Sequence, residues 1–393
     1  MEITNNNDEV FIYTGKRGQF IPANVTHVEV QEGVTTICEN AFFDRRRLIS
    51  VRIPSSVRTI ERYAFNFCIS LASVVFAEGL EEIGELSFRN CRSLTSLAIP
   101  TTVQRIGRFA FRGCLSLVSV ELPSRLKYIE HGTFCDCNSL RTIKIPPLRD
   151  NSEGLQIIAE SSFRACRSLT SLRLPTSVQA IGRWAFIGCS SLVSIELPEG
   201  LKIIEDGVFI ECYNLKDIKI PSTVEKIEEY AFSGCASLHS LQILDGVKEI
   251  GRQAFEYCTS LRSVRIPSSV QFISAQAFLR CHNLEAIYLP IGLKKVGWEP
   301  FYDCTALKSV RFSTSKSRYF ELVCNSDDML EDDDNRDLAL RGRWSTEMLR
   351  VFQAEHALMY KQLPPNHLPL FFGRCTSQPD AVFYLLSQKH QIR

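Results

Sequence analysis

Eleven of the fifteen cysteines in this 393-residue chain share one position, three residues after a phenylalanine, from Cys68 and Cys91 through to Cys281 and Cys304. Thiols repeated at a fixed interval could ligate a metal, close disulfides, act as nucleophiles, or pack as small apolar groups. Zinc calls for Cys-x-x-Cys pairs or cysteines combined with histidines. Only Cys135 and Cys137 come near, as Cys-x-Cys, and the seven histidines are scattered. Disulfides between equivalent cysteines meet a geometric obstacle. Adjacent strands of a stack lie about 4.8 Å apart, which suits the Cα separation of a disulfide. In-register side chains, however, keep their Cβ atoms about 4.8 Å apart too, near or beyond the usual limit. The spacing therefore favours buried thiols acting as small hydrophobes with weak hydrogen-bonding capacity. The off-register Cys38, Cys135, Cys324 and Cys375 are expected to be more accessible, none in a catalytic setting.

The signatures of other chemistry are missing from the chain. It has no G-x-x-x-x-G-K-[ST], no G-x-G-x-x-G between a strand and a helix, no H-E-x-x-H and no G-x-S-x-G. Carboxylates are plentiful, but no pair stands out from the solvated background. The expectation is a protein that is not an enzyme, with no cofactor, no metal and no small-molecule substrate.

The elements that carry the cysteines are repeats. Reference phenylalanines run from Phe42, Phe65, Phe88 and Phe111 to Phe278 and Phe301, each step being 23 residues except Phe134 to Phe163, which is 29. A leucine stands six residues after every one, from Leu48 to Leu307, and an isoleucine five before, with Val296 the one substitute. The L-x-x-V-x-I portion alternates as a strand does, and proline then ends it, as at Pro54, Pro123 and Pro146. The A-F segment reads as a tight turn or a short helical piece on the opposite side. A coil this short cannot bury its own apolar residues, so Phe must stack on Phe and Leu on Leu between neighbours.

The repeated A-F-x-x-C-x-x-L-x-x-V-x-I-P resembles the BspA-type leucine-rich repeat family over roughly residues 24–313. The resemblance implies an α/β repeat solenoid: a curved, right-handed leucine-rich repeat array with one short parallel strand per 23-residue repeat lining its concave face. It also implies adhesion or protein binding rather than catalysis.

Three regions follow. Residues 1–23 are expected to cap the N-terminal end, since an open terminus would expose core and unpaired strand edge. Residues 24–313 hold a partial first unit, matched by Val25, Val28 and Val30, and twelve repeats. A six-residue insertion at 147–152, PLRDNS, reads as a tolerated surface loop or as a loop that helps recognise a partner. Residues 314–393 are expected to form an acidic linker, with Glu331-Asp332-Asp333-Asp334, and a small helical C-terminal segment. Helical candidates lie near 337–362, with Trp344, Met348, Val351, Phe352 and Met359 roughly on one face, and after Pro379. This segment reads as a cap on the last repeat or as a separate module.

Outward-facing strand positions are where partner binding is expected. Eight residues after each phenylalanine the chain is nearly always small, as at Ser50, Ser96 and Ser263. Ten after, it varies, and the partner-binding candidates are Arg52, Lys144, Arg173, Lys219, Arg265, Tyr288 and Arg311. Six of these seven are basic, which suits an acidic protein partner. Arg45, Arg46, Arg47, Arg89, Arg92, Arg112, Arg164 and Arg167 add a second basic region near the turn. A net charge of +1 and the lack of interleaved exposed aromatics argue against nucleic acid. No run approaches the ~18 apolar residues of a membrane span, and the acidic, polar start is unlike a signal peptide. The expected setting is the cytoplasm, and the expected role is a protein-interaction scaffold. The alternatives are a secreted or surface adhesin, or a C-terminal effector segment targeted by the repeats.

Overall fold

The computed structural model describes residues 10–146, 154–290, 292–313 and 319–323. Within them, the L-x-x-V-x-I motif forms short strands whose alternate residues face opposite ways. In strand Ser50–Ile53, Val51 and Ile53 are buried and Arg52 is exposed. In Asp217–Ile220, Ile218 and Ile220 are buried while Asp217 and Lys219 face out. Most of these strands pair in parallel with their equivalent one coil on, Ser50↔Ser73 and Arg52↔Val75 in one place, Ser263↔Ala286 and Arg265↔Tyr288 in another. The ladder is interrupted after Ser73–Phe76, Thr142–Lys144 and Ser240–Ile243. Like stacks on like, so the core of one coil is closed by the next.

After the strand, the Val57 N–H donates to the Pro54 carbonyl at 3.2 Å, closing a turn. That turn leads into a second strand of two residues, such as Thr59–Ile60. These short strands also pair in parallel, Thr36↔Thr59 and Ile37↔Ile60. The expected single strand per repeat is therefore corrected to two. The isoleucine five residues before each phenylalanine is the buried half of the second, and a two-residue element is too short to show alternation. Across the insertion the pairing is Tyr128↔Ile157 and Ile129↔Ile158. The extra residues thus leave the register intact, while 147–152 themselves lie outside the described residues.

The A-F segment is a turn, and no helix occurs among the described residues. The residues two before and two after each reference phenylalanine take a left-handed conformation, with φ 56° at both Ser161 and Ala165 around Phe163. A right-handed helix needs φ near −63°, so two inversions per turn exclude it. Backbone amides alternate instead. Phe163 N–H donates to Ala185 O of the next coil at 2.8 Å, Arg164 N–H back to Ser161 O at 3.1 Å, and Ala165 N–H onward to Ile187 O at 2.7 Å. Buried amides are thereby served without a helix. The helical candidates at 337–362 and after Pro379 lie outside the described residues.

Inside the coils the phenylalanine rings form one file. Neighbours stack at 4.9 Å and 3° for Phe42 and Phe65, and at 5.8 Å and 28° for Phe278 and Phe301. Phe42 through Phe278 are fully buried. Each buried ring contributes roughly 1.5–3 kcal/mol from area alone, with about 0.5–1.5 kcal/mol more for a well-placed aromatic pair. Tyr13 stands at the head of the file, 5.1 Å from Phe42 and tilted by 59°. It belongs to strand Val10–Tyr13, which pairs in parallel with His27–Val30. At the other end, Tyr319–Val323 runs antiparallel to Ser309–Ser313. Lying beyond the periodic region, this strand had no repeat signal to announce it. It occupies an edge that a parallel stack leaves open.

Candidate functional site

The eleven repeat cysteines are buried in a second file beside the phenylalanines. Each thiol donates to the carbonyl oxygen of the phenylalanine in the preceding coil: Cys68 to Phe42 at 3.0 Å, Cys189 to Phe163 at 3.2 Å, Cys304 to Phe278 at 3.1 Å. In the first unit Arg45 takes the position, and its Nε donates to the Ile21 carbonyl at 3.1 Å. A longer donor serves the same kind of acceptor there. Burial pushes the Cys68 and Cys189 thiols up to about 12, and those of Cys91, Cys137 and Cys212 well above the ordinary range. Nucleophilic and metal-binding chemistry needs the thiolate, which this setting suppresses. All thirteen described cysteines are free thiols, and among the described residues no group of three or more His, Cys, Asp or Glu could hold a metal ion.

One expectation about the off-register thiols is corrected. Cys135 is 4% exposed, and burial raises its thiol to about 12. It follows Phe134 directly, a position the turn can fold inward, as the equivalent Asn66 shows at 2% exposed. Cys38 is half-buried with its thiol 3.6 Å from the Gly15 carbonyl. Cys324 and Cys375 lie outside the described residues.

On the strand face, Arg52, Lys144, Arg173, Lys219 and Arg265 are exposed, while Tyr288 and Arg311 are half-buried. Ion pairs between coils sort them. Lys144 Nζ lies 2.7 Å from Glu121 and Arg173 Nε 3.9 Å from Glu196, so both charges are locally balanced. Exposed pairs of this kind contribute only about 0–1 kcal/mol each. Arg52 and Lys219 form no ion pair among the described residues. At the C-terminal end the Arg265 and Arg311 guanidinium carbons sit 5.2 and 5.5 Å from the Tyr288 ring centroid. Arg311 Nη1 also donates to the Tyr288 hydroxyl at 3.1 Å. Of the seven candidates, these three form one cluster, and the others are spread along the same face.

Sequence alternation overlooked the residue just before the strand, seven after each phenylalanine. Ile49, Val118 and Val193 are exposed there, followed further on by Lys216, His239 and Arg262. The available signal was its changing chemistry between an invariant leucine and a small residue. The second basic region is partly consumed by structure. Arg46 pairs with Asp44 at 2.8 Å and Arg112 with Asp136 at 3.2 Å, while Arg89 and Arg112 lie over Phe67 and Phe109, each at 5.5 Å. A dimple of ≈ 30 Å³ beside Leu122, Leu155 and Pro175 has room for about one water.

A family model described as a BspA type leucine rich repeat region matches the chain in 6 copies, over residues 16–141, 148–259 and 202–325. The chain is 29% identical to a leucine-rich repeat protein of Bacteroides ovatus, covering 77% of this chain and 86% of that one, with a TM-score of 0.51. It is 28% identical to a leucine rich cell surface protein of Faecalibacterium prausnitzii, covering 78% and 88%, with a TM-score of 0.48. A leucine-rich repeat protein of Eubacterium ventriosum is 22% identical over 73% and 80%, with a TM-score of 0.48. No curated protein matches the chain.

Proposed function

This chain belongs to the BspA-type leucine-rich repeat family, and from that premise we propose that it is a non-catalytic scaffold that binds a protein partner on its exposed strand face. The observation that carries the reading is a division of labour within each strand. Val264 and Ile266 are buried, as Val51 and Ile53 and Ile218 and Ile220 are in other coils, while Ser263 and Arg265 face outward. One outward column is small apart from Asp217, and the adjacent one changes from coil to coil, giving a shallow sheet surface with individually chosen side chains. In the proposal, Arg52, Lys144, Arg173, Lys219, Arg265, Tyr288 and Arg311 contribute to that surface. Residues 1–23 serve as the N-terminal cap of the array in this proposal, with strand Val10–Tyr13 laid on the first repeat strand.

Supporting a reducing, cytoplasmic setting is the file of free thiols, each engaged with a carbonyl. Among the described residues no helix is long and apolar enough to cross a membrane. The test is affinity capture from the native cell with the wild-type chain against a variant in which Arg52, Lys219 and Arg265 become glutamate. Loss of the captured protein supports the strand face as the docking surface. Equal capture by both refutes it, and recovery of the protein in the surface fraction would replace the scaffold with the adhesin reading.

A further inference from the structure

The strand face is chemically uneven from end to end. Over the first coils it is apolar and neutral: Ile49, Val75 and Val118 are 42%, 53% and 42% exposed, with Ala98 exposed between the last two. Further back, Val10 and Ile12 extend the same surface at 51% and 46% exposed, because they pair in register with His27 and Glu29. The charges interspersed there, Glu29 and Arg52, cancel.

Over the last coils the same face turns basic. Lys216, Lys219, Arg262, Arg265, Lys308 and Arg311 occupy it, opposed by Asp217 and Glu285. Asp217 lies 3.5 Å from His239 and Glu285 3.6 Å from Lys308. No ion pair forms at Lys216, Lys219, Arg262 or Arg265 among the described residues. The paired Lys144–Glu121 and Arg173–Glu196 separate the two zones.

The geometry points to a single extended polypeptide segment as the occupant, apolar at one end and acidic at the other, laid across the strands with its carboxylates over Lys219, Arg262 and Arg265. This rests on the strand face being the docking surface. Charge complementarity selects carboxylates at the basic end, where guanidinium forks donate paired hydrogen bonds to them. The small outward column keeps the face shallow enough for a main chain to lie close. From strand Ser73–Phe76 to strand Ser263–Arg265 is eight strand steps, or roughly 38 Å at about 4.8 Å each. An extended chain spans that with about eleven residues at ~3.3–3.6 Å per residue. The segment therefore needs its apolar and acidic groups about that far apart.

The test uses the full chain and three fluorescein-labelled synthetic peptides: a leucine block joined to a glutamate block by a Gly-Ser spacer, the glutamate block alone, and a scramble of the first. Fluorescence anisotropy is expected to show the block peptide binding at least tenfold tighter than either control. Val75→Asp with Val118→Asp should reduce the block peptide to the level of the glutamate peptide and leave the latter unchanged. Lys219→Glu with Arg265→Glu should weaken both at least tenfold. Equal binding of block and scrambled peptides overturns the inference while the strand-face reading stands, provided charge reversal still matters. Indifference of every peptide to both double variants removes the strand face itself. Co-sedimentation with phosphatidylserine vesicles that depends on the same side chains would make the occupant a lipid surface and overturn the peptide. All four positions are exposed, so unchanged far-UV circular dichroism is the folding control.

Discussion

Raising the pH from 8 to 10 should destabilise this protein through its cysteine file. Cys189 is buried completely and its thiol is raised from 9.0 to about 12 because burial penalises the thiolate. In the unfolded chain the same thiol ionises near 9.0. The folded pKa is the higher one, so the folded state keeps a proton that the unfolded state gives up. The stabilisation is therefore complete below about pH 9 and is lost as pH rises from there toward 12. For one such thiol the loss is about 0.4 kcal/mol at pH 9 and about 1.4 kcal/mol at pH 10, with a limiting slope of ~1.4 kcal/mol per pH unit. Cys166 and Cys212 are raised by the same cause, so three adjacent coils together lose roughly 4 kcal/mol by pH 10. That is a large share of the ~5–15 kcal/mol that holds most domains together. The assay is guanidinium unfolding followed by circular dichroism at half-unit intervals from pH 7.5 to 10, under reducing conditions. Unfolding free energy should be level to about pH 8.5 and then fall steeply. Cys189→Ala should shallow the slope between pH 9 and 10 by about 1 kcal/mol per pH unit at constant m-value. A flat profile through pH 9.5, or an unchanged slope in Cys189→Ala, would refute the buried thiol file.

Phe186→Ala should cost about 3–5 kcal/mol by equilibrium unfolding, as large buried aromatics do, because its ring stacks on Phe163 at 5.3 Å and Phe209 at 5.6 Å. Hydrogen exchange should show the loss concentrated in the adjoining coils, and a cost no larger than that of exposed Arg265→Ala would contradict it. Ala165→Gly should raise stability by about 0.5–1 kcal/mol, because Ala165 has a φ of 56° that glycine adopts without penalty. Gly188→Ala, at the equivalent position with a φ of 72°, should lower it by a similar amount, and opposite signs in thermal melts would undo the turn assignment. Deletion of 147–152 restores the 23-residue spacing and should leave the far-UV spectrum unchanged, whereas a cost above about 3 kcal/mol would exceed what loop shortening carries.

The repeat, its register and its inward residues were all readable from the chain. Phe at one interval and Leu six residues later can bury only by stacking, so periodicity alone placed Phe186 against Phe163 and Phe209 and set Cys189 beside them. The same logic assigned Arg265 and Lys219 to the open face, since a residue between two buried neighbours on a strand has nowhere else to point. Other features left no periodic trace. The two-residue strands such as Thr59–Ile60 are too short to alternate. The left-handed residues flanking each phenylalanine are mostly not glycine, Trp184 and Tyr230 among them, so composition did not mark the turns. Tyr13 joins the phenylalanine file from a strand whose spacing lies outside the repeat.

What the amino-acid sequence determined by itself was therefore which residues are core and how one coil stacks on the next, because both follow from local spacing. Tertiary structure alone decided what those residues do once stacked. It turned each thiol onto the carbonyl of the coil before it, since that acceptor is brought alongside only when two coils meet. It also set Lys144 against Glu121 while leaving Lys219 without an ion pair among the described residues. Whether a surface charge is available depends on its neighbour one coil away, and that neighbour is 23 residues distant in the chain but adjacent in space.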